Sequence, residues 1–146
     1  MKLSFDFDGT LDRKDVQDFC RKMMRWGHEV WVCTMRTKEY NDALYKIADK
    51  TLPANYDLYT VTDGLKIPRE RIIFTEMEEK SKFLKGFVWH LDDDWMVLKE
   101  LELNSNVKGI DVRKNKWKNN CMETLEKQCC GNWDEYGACK CIKDEK

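Results

Sequence analysis

No apolar run in this 146-residue chain approaches the roughly 20 residues that a membrane-crossing helix requires. No secretory leader is expected either, since Met1-Lys2-Leu3-Ser4-Phe5 runs straight into the acid Asp6. Charge of one sign is missing: 26 basic side chains face 27 acidic ones, for a formal net charge of -1. That balance excludes the strongly basic footprint of a protein that grips nucleic acid through many phosphates, though a local patch at a nucleic-acid end stays compatible with it. Histidine occurs only twice, which limits the metals the chain could hold. There is no internal repeat and no low-complexity tract. What is present is a hydrophobic fraction of 42%, enough for one real core in a chain of this size. The expected setting is cytoplasmic, with thiols reduced.

The seven cysteines divide the chain. Cys20 and Cys33 sit in apolar stretches and read as small core hydrophobes. Cys121, Cys129, Cys130, Cys139 and Cys141 crowd the last quarter. The expected organisation is one domain over residues 1–113 and a short cysteine-rich C-terminal extension over 114–146.

Hydrophobic periodicity outlines the first part. Leu3 to Phe7 alternates and stops at Gly9, a strand followed by a tight turn. Asp12 is placed to cap a helix with Val16, Phe19, Cys20 and Met23 on one face and Gly27 as its stop. Val30 to Cys33 reads as a buried parallel strand. Thr37 is placed to cap a second helix through Tyr40, Leu44, Ile47 and Ala48, with Pro53 beyond its end. Tyr56 to Thr62 reads as a weakly alternating strand, and Arg71 to Thr75 as a stronger one. A short helix over Ser81 to Lys85 leads into a strand at Phe87 to Leu91, a helix at Trp95 to Leu103 and a strand at Val107 to Val112. Alternating strands and helices predict an α/β fold with a central parallel sheet and helices on its faces. Beyond Lys114 the periodicity weakens, leaving about two turns of helix at Met122 to Gln128.

Three predicted strands end in polar residues: Asp6-Phe7-Asp8-Gly9-Thr10, Thr34-Met35-Arg36 and Asp92-Asp93-Asp94. Ligands of open parallel sheets bind outside the carboxyl ends of the strands, near the topological switch point. Carboxylates gathered there repel one another unless a cation compensates, and oxygen donors with few histidines favour magnesium.

These segments resemble the haloacid dehalogenase (HAD) superfamily of phosphohydrolases. Asp6-Phe7-Asp8-Gly9-Thr10-Leu11 matches the family's DxDGT signature, and the apolar run ending in Thr34 is similar to its second motif. Lys80 resembles the third and Leu91-Asp92-Asp93 the fourth, in the family's order over residues 1–113. The resemblance implies a Rossmann-like three-layer fold and a magnesium-dependent phosphomonoesterase working through an aspartyl-phosphate. It implies Asp6 as nucleophile and Asp8 as general acid and then base. Gly9 would make the turn that brings the Asp8 backbone carbonyl to the metal, and Thr34 would hold phosphoryl oxygens. Lys80 would neutralise charge, with Lys82 as the competing lysine, and Asp92 and Asp93 would complete the Mg2+ shell. Asp94 reads as a helix cap, and His90 as a packed or hydrogen-bonded strand residue.

The segments between motifs are too short for a full cap domain. An open site is expected, suited to a large substrate or to a lid supplied by a partner protein. Thr34-Met35-Arg36 with Asp92-Asp93 is also similar to polynucleotide 3′-phosphatases and small nucleotidases, which implies a nucleotide or nucleic-acid terminal phosphate and a bidentate phosphate contact from Arg36. Two other readings remain: a phosphatase for other small esters, and a catalytically idle domain that binds a phosphorylated partner. The tail's five cysteines fit unpaired reduced thiols, a Zn2+ site drawn from four of them, or disulfides with one left over. Trp117, Trp133 and Tyr136 could stack on bases or fill a small core.

Overall fold

The computed structural model describes residues 1–38 and 53–128. In chain order its elements are β1 (Lys2–Phe5), α1 (Lys14–Arg25), β2 (Glu29–Thr34), α2 (Tyr56–Gly64), β3 (Ile72–Phe74), β4 (Trp89–Asp92), α3 (Trp95–Asn104), β5 (Lys108–Asp111) and α4 (Trp117–Gln128). The five strands form one all-parallel sheet in the order β3-β2-β1-β4-β5. The arrangement is α/β and Rossmann-like.

Strand alternation sorts the side chains into two cores. Leu3, Phe5, Val30, Val32, Trp89, Leu91 and Ile110 face one side, where Val16, Phe19, Cys20 and Met23 of α1 and Leu58 of α2 cover them. Cys33 faces the other side with Val97 and Leu101 of α3, Leu84, Phe87 and Val107. Ser4 on β1, Asp6 directly beyond it, and His90 and Asp92 on β4 are buried as well. Ser4 and His90 are directly paired in the β1–β4 register. A polar row therefore crosses the sheet just behind the carboxyl ends of β1 and β4.

Local chemistry explains the ends of α1. Gly27 adopts a positive φ of 91°, and the Gly27 and His28 N–H groups donate to Met24 O and Met23 O at 3.1 and 3.2 Å, the paired bonds of a glycine-terminated helix. Asp12 is not the N-cap: the helix starts after Arg13 with no side-chain cap, because Asp12 Oδ2 accepts the Gly9 N–H at 3.1 Å within the preceding turn. Tyr56 to Thr62 is helix, not strand. Its β-branched residues imitate alternation, but Leu58, Thr62 and Leu65 are buried at helical spacing. The short helix expected at Ser81 to Lys85 is a single 3-10 turn over Lys80–Lys82. The helix expected through Tyr40, Leu44, Ile47 and Ala48 lies outside the described residues, as do Cys129, Cys130, Trp133, Tyr136, Cys139 and Cys141.

The packed core does not stop at residue 113. Trp117, Cys121 and Leu125, one face of α4, belong to the same cluster as Phe5 and Trp89. Trp117 stands edge-on to Phe19 with centroids 5.0 Å apart. Cys121 is thus a core residue, and burial pushes its thiol well above the usual range. Trp117→Ala is expected to cost about 3–5 kcal/mol in chemical denaturation. A loss under about 1 kcal/mol, the level of a surface change, would make α4 an accessory. Among the described residues no helix is long and apolar enough to cross a membrane.

Candidate active site

The chain runs from β1 outward to β2 and β3, then returns to β4 on the far side of β1. That reversal opens a crevice at the carboxyl ends of β1 and β4. Asp6 follows β1 directly, Asp92 ends β4, and Thr34 ends β2. Beyond Asp6 the backbone makes a tight turn, Leu11 N–H returning to Asp6 O at 3.1 Å. Gly9 is obligatory there for two reasons: its φ is +77°, and a Cβ would collide with the Asp93 carboxylate, 2.7 Å from its carboxyl carbon.

A buried charge network ties these ends together. Lys80 Nζ donates to Asp6 Oδ1 at 2.9 Å and to Asp92 Oδ2 at 2.7 Å, with only 2% of its side chain exposed. Lys82, the competing lysine, is 59% exposed and pairs with Glu78 at 2.8 Å. His90 lies wholly inside, with Nε2 2.7 Å from Asp92 Oδ2 and Nδ1 2.8 Å from Ser4 Oγ. An ionised carboxylate only accepts, so Nε2 carries the proton and donates to Asp92 while Ser4 Oγ donates to Nδ1. Burial keeps His90 neutral, pushing its pKa below the ordinary value, with Lys80 adding to the effect.

The two buried acids differ. Burial pushes the Asp6 carboxyl up to about 8; Lys80 opposes this, while Asp92 and Asp93 add to it. Burial alone would raise Asp92 as well, but the His90 hydrogen bond and the Lys80 charge hold it below the usual carboxylate range. Asp93 is raised by burial and by the neighbouring Asp92. Lys80 keeps its proton: burial disfavours the charge, and Asp6 and Asp92 outweigh that.

Asp6, Asp92 and Asp93 each offer an oxygen within 4.8 Å of the others. Three carboxylates, two of them buried, form a hard-donor set that suits magnesium, and a divalent cation would remove the repulsion that raises Asp6. The Asp8 carboxylate is not in that group. Asp94 caps α3, its Oδ1 accepting the Met96 N–H at 2.9 Å.

Arg36 does not present a free fork for phosphate. Nε and Nη2 donate to Asp8 Oδ2 and Oδ1 at 3.0 and 2.6 Å. Nη1 and Nη2 donate to Asp57 Oδ1 and Oδ2, each at 2.8 Å, and Nη1 also donates to Asn55 Oδ1 at 3.3 Å. A guanidinium has five N–H donors, and all are taken. The hydrogen bonds to Asp57, and then Asp8, hold Arg36 firmly protonated. The expected substrate contact is therefore an internal ion-pair cluster. Thr34 Oγ1 accepts the Arg36 backbone N–H at 3.3 Å, and Thr34 O accepts from Thr75 N–H at 2.8 Å.

These groups line a cleft of about 580 Å³ whose rim adds Met35, Met77, Trp95 and Arg113. Met77 and Trp95 are 75% and 63% exposed. Glu76 and Met77 both have positive φ, 54° and 70°, a costly pair for residues with a Cβ. Their N–H groups are held by Arg36 O and Met35 O at 3.3 and 3.0 Å.

Ser4 and Asp57 were not anticipated as site residues. The Ser4 role was discoverable, because Ser4–Asp6 and His90–Asp92 share one i, i+2 pattern on adjacent strands. Asp57 gave no such signal, since its partner is 21 residues away. No protein-family model matches the chain, and no curated protein matches it in sequence.

Proposed function

We propose that this chain is a magnesium-dependent phosphomonoesterase of the HAD type, acting on a nucleotide or a nucleic-acid terminal phosphate. The observation that carries the reading is the meeting of Asp6, Asp92 and Asp93 with Lys80 at the switch point of a parallel sheet. Asp6, Asp92 and Asp93 would hold the cation, which when bound supplies positive charge to the phosphoryl oxygens. A bound cation also favours the ionised form of Asp6 that attack requires.

In the first half-reaction an Asp6 oxygen bonds to phosphorus, the bond from phosphorus to the ester oxygen breaks, and the departing oxygen takes a proton from Asp8. In the second, Asp8 takes a proton from water, whose oxygen bonds to phosphorus as the bond to Asp6 breaks. Inorganic phosphate leaves and Asp6 is regenerated. Lys80 stabilises negative charge on Asp6 and the phosphoryl group from a site closed to water. Ser4 and His90 fix the Asp92 carboxylate from behind.

The substrate side of the reading rests on the rim. An exposed indole at the mouth of an acidic cleft offers a face on which a base can stack. Turnover of p-nitrophenyl phosphate is expected with Mg2+ and not with EDTA. Across nucleoside monophosphates, 3′-phosphorylated oligonucleotides and sugar phosphates, Trp95→Ala is expected to lower kcat/KM by about tenfold for base-bearing esters, the worth of one stacking contact, and to leave sugar phosphates unchanged. Equal losses across the panel would remove the nucleotide assignment and leave a general phosphatase.

A further inference from the structure

Resting on the phosphatase reading above, we infer that Asp57 and Arg36 are positioning residues for Asp8, holding it for the proton transfers of both half-reactions. Arg36 donates to both oxygens of Asp8, at 2.6 and 3.0 Å. Asp57 grips the adjacent Nη1–Nη2 edge of the same guanidinium with both oxygens, at 2.8 Å each. Two edges of the plane are thus held, and Asp8 with it.

The clamp is anchored to the fold and not to the cleft. Asp57 lies in the first turn of α2. The residue before that helix, Asn55, is buried in a left-handed conformation with φ 58°. Its Nδ2 donates to Thr37 O and Lys38 O at 3.0 and 3.1 Å, and its Oδ1 accepts from Arg36. Helix α2 is thereby pinned to the segment that follows β2. The Arg36 guanidinium also lies over the Phe7 ring, 5.0 Å from its centroid, which orients the plane further. Asp57 has no contact with the Asp6–Asp92–Asp93 group, so its effect on the reaction passes through Arg36.

The test separates the two halves of turnover. Enzyme is loaded with ³²P-phosphate from a labelled ester, chased with unlabelled ester and quenched in acid, which reads the decay of the aspartyl-phosphate directly. In Asp57→Asn that decay is expected to slow by about tenfold, a fraction of what a general base contributes. Aspartyl-phosphate should accumulate during turnover. With p-nitrophenyl phosphate, whose leaving group departs without help from an acid, kcat and KM should fall together and kcat/KM stay within about twofold of the parent. Arg36→Lys, which cannot hold two carboxylates in one plane, should behave the same way. Decay at the parental rate, or a loss in kcat/KM equal to that in kcat on p-nitrophenyl phosphate, overturns the positioning role. Absence of any turnover or labelling in the parent chain is a separate outcome: it removes the phosphatase reading itself, and this inference with it.

Discussion

Lys80→Met is expected to abolish turnover and to cost about 3–5 kcal/mol of folding stability, the penalty for leaving buried charge without its partner. Lys80 sits between two carboxylates, at 2.9 Å from Asp6 and 2.7 Å from Asp92, with all three side chains buried. Methionine fills much the same volume, so the loss reads as charge and hydrogen bonding and not as a cavity. Lys82→Met is the matched control. Lys82 is an exposed i, i+4 partner of Glu78, and such pairs are worth about 0.3–0.5 kcal/mol. Denaturation and p-nitrophenyl phosphate assays on the two variants give the comparison. Equal behaviour of the two lysines would mean that the buried network is not what organises this site.

Asp6→Asn moves stability and activity in opposite directions. Loss of the nucleophile is expected to lower kcat by about 10⁴-fold or more. In EDTA at pH 8 the same change is expected to raise the melting temperature by about 5 °C, because it removes a buried acid that crowds Asp92 and Asp93. The sign follows from linkage. Asp6 in the folded chain is raised from 3.8 to about 8, so between those values the folded state holds a proton that the unfolded state has lost. Its contribution to stability therefore falls as pH rises through that window. Melting curves of the parent in EDTA should lose stability from pH 5 to pH 8 through this group, and Asp6→Asn should lose less. Saturating Mg2+ should flatten the parent's dependence as well. A variant that melts lower than the parent at pH 8 without divalent cation would contradict the account of the acidic cluster.

Such a trade of stability for chemistry is expected where like charges are gathered on purpose. Two other features have the same character: positive φ at the consecutive residues Glu76 and Met77, and the exposed Trp95. Met77 and Trp95 line the same cleft as the acids.

The acidic strand ends, the Gly9 turn and the Gly27 helix stop were readable along the chain because each depends on neighbours one to four residues apart. Strand alternation belongs with them: it marked Leu3 to Phe7 as the first strand, and Leu3 and Phe5 are buried in the core. The Tyr56 to Thr62 segment was misread for a local reason. Its threonines and valine favour strands, and the buried positions Leu58, Thr62 and Leu65 give too short a helical pattern to outvote them. The α4 stripe of Trp117, Cys121 and Leu125 was hidden in a polar, cysteine-bearing context.

Sequence by itself determined which residue types could do chemistry here and which strand ends would carry them, because side-chain identity and short-range periodicity are properties of the chain alone. Only the tertiary structure decided that Lys80 enters the site and Lys82 does not, that Arg36 is spent on Asp8 and Asp57, and that Ser4 and His90 stand behind Asp92. The physical reason is that hydrogen bonds and charge act over a few ångströms of space, while the partners of Lys80, Arg36 and Ser4 named here are 12 to 86 residues away in sequence.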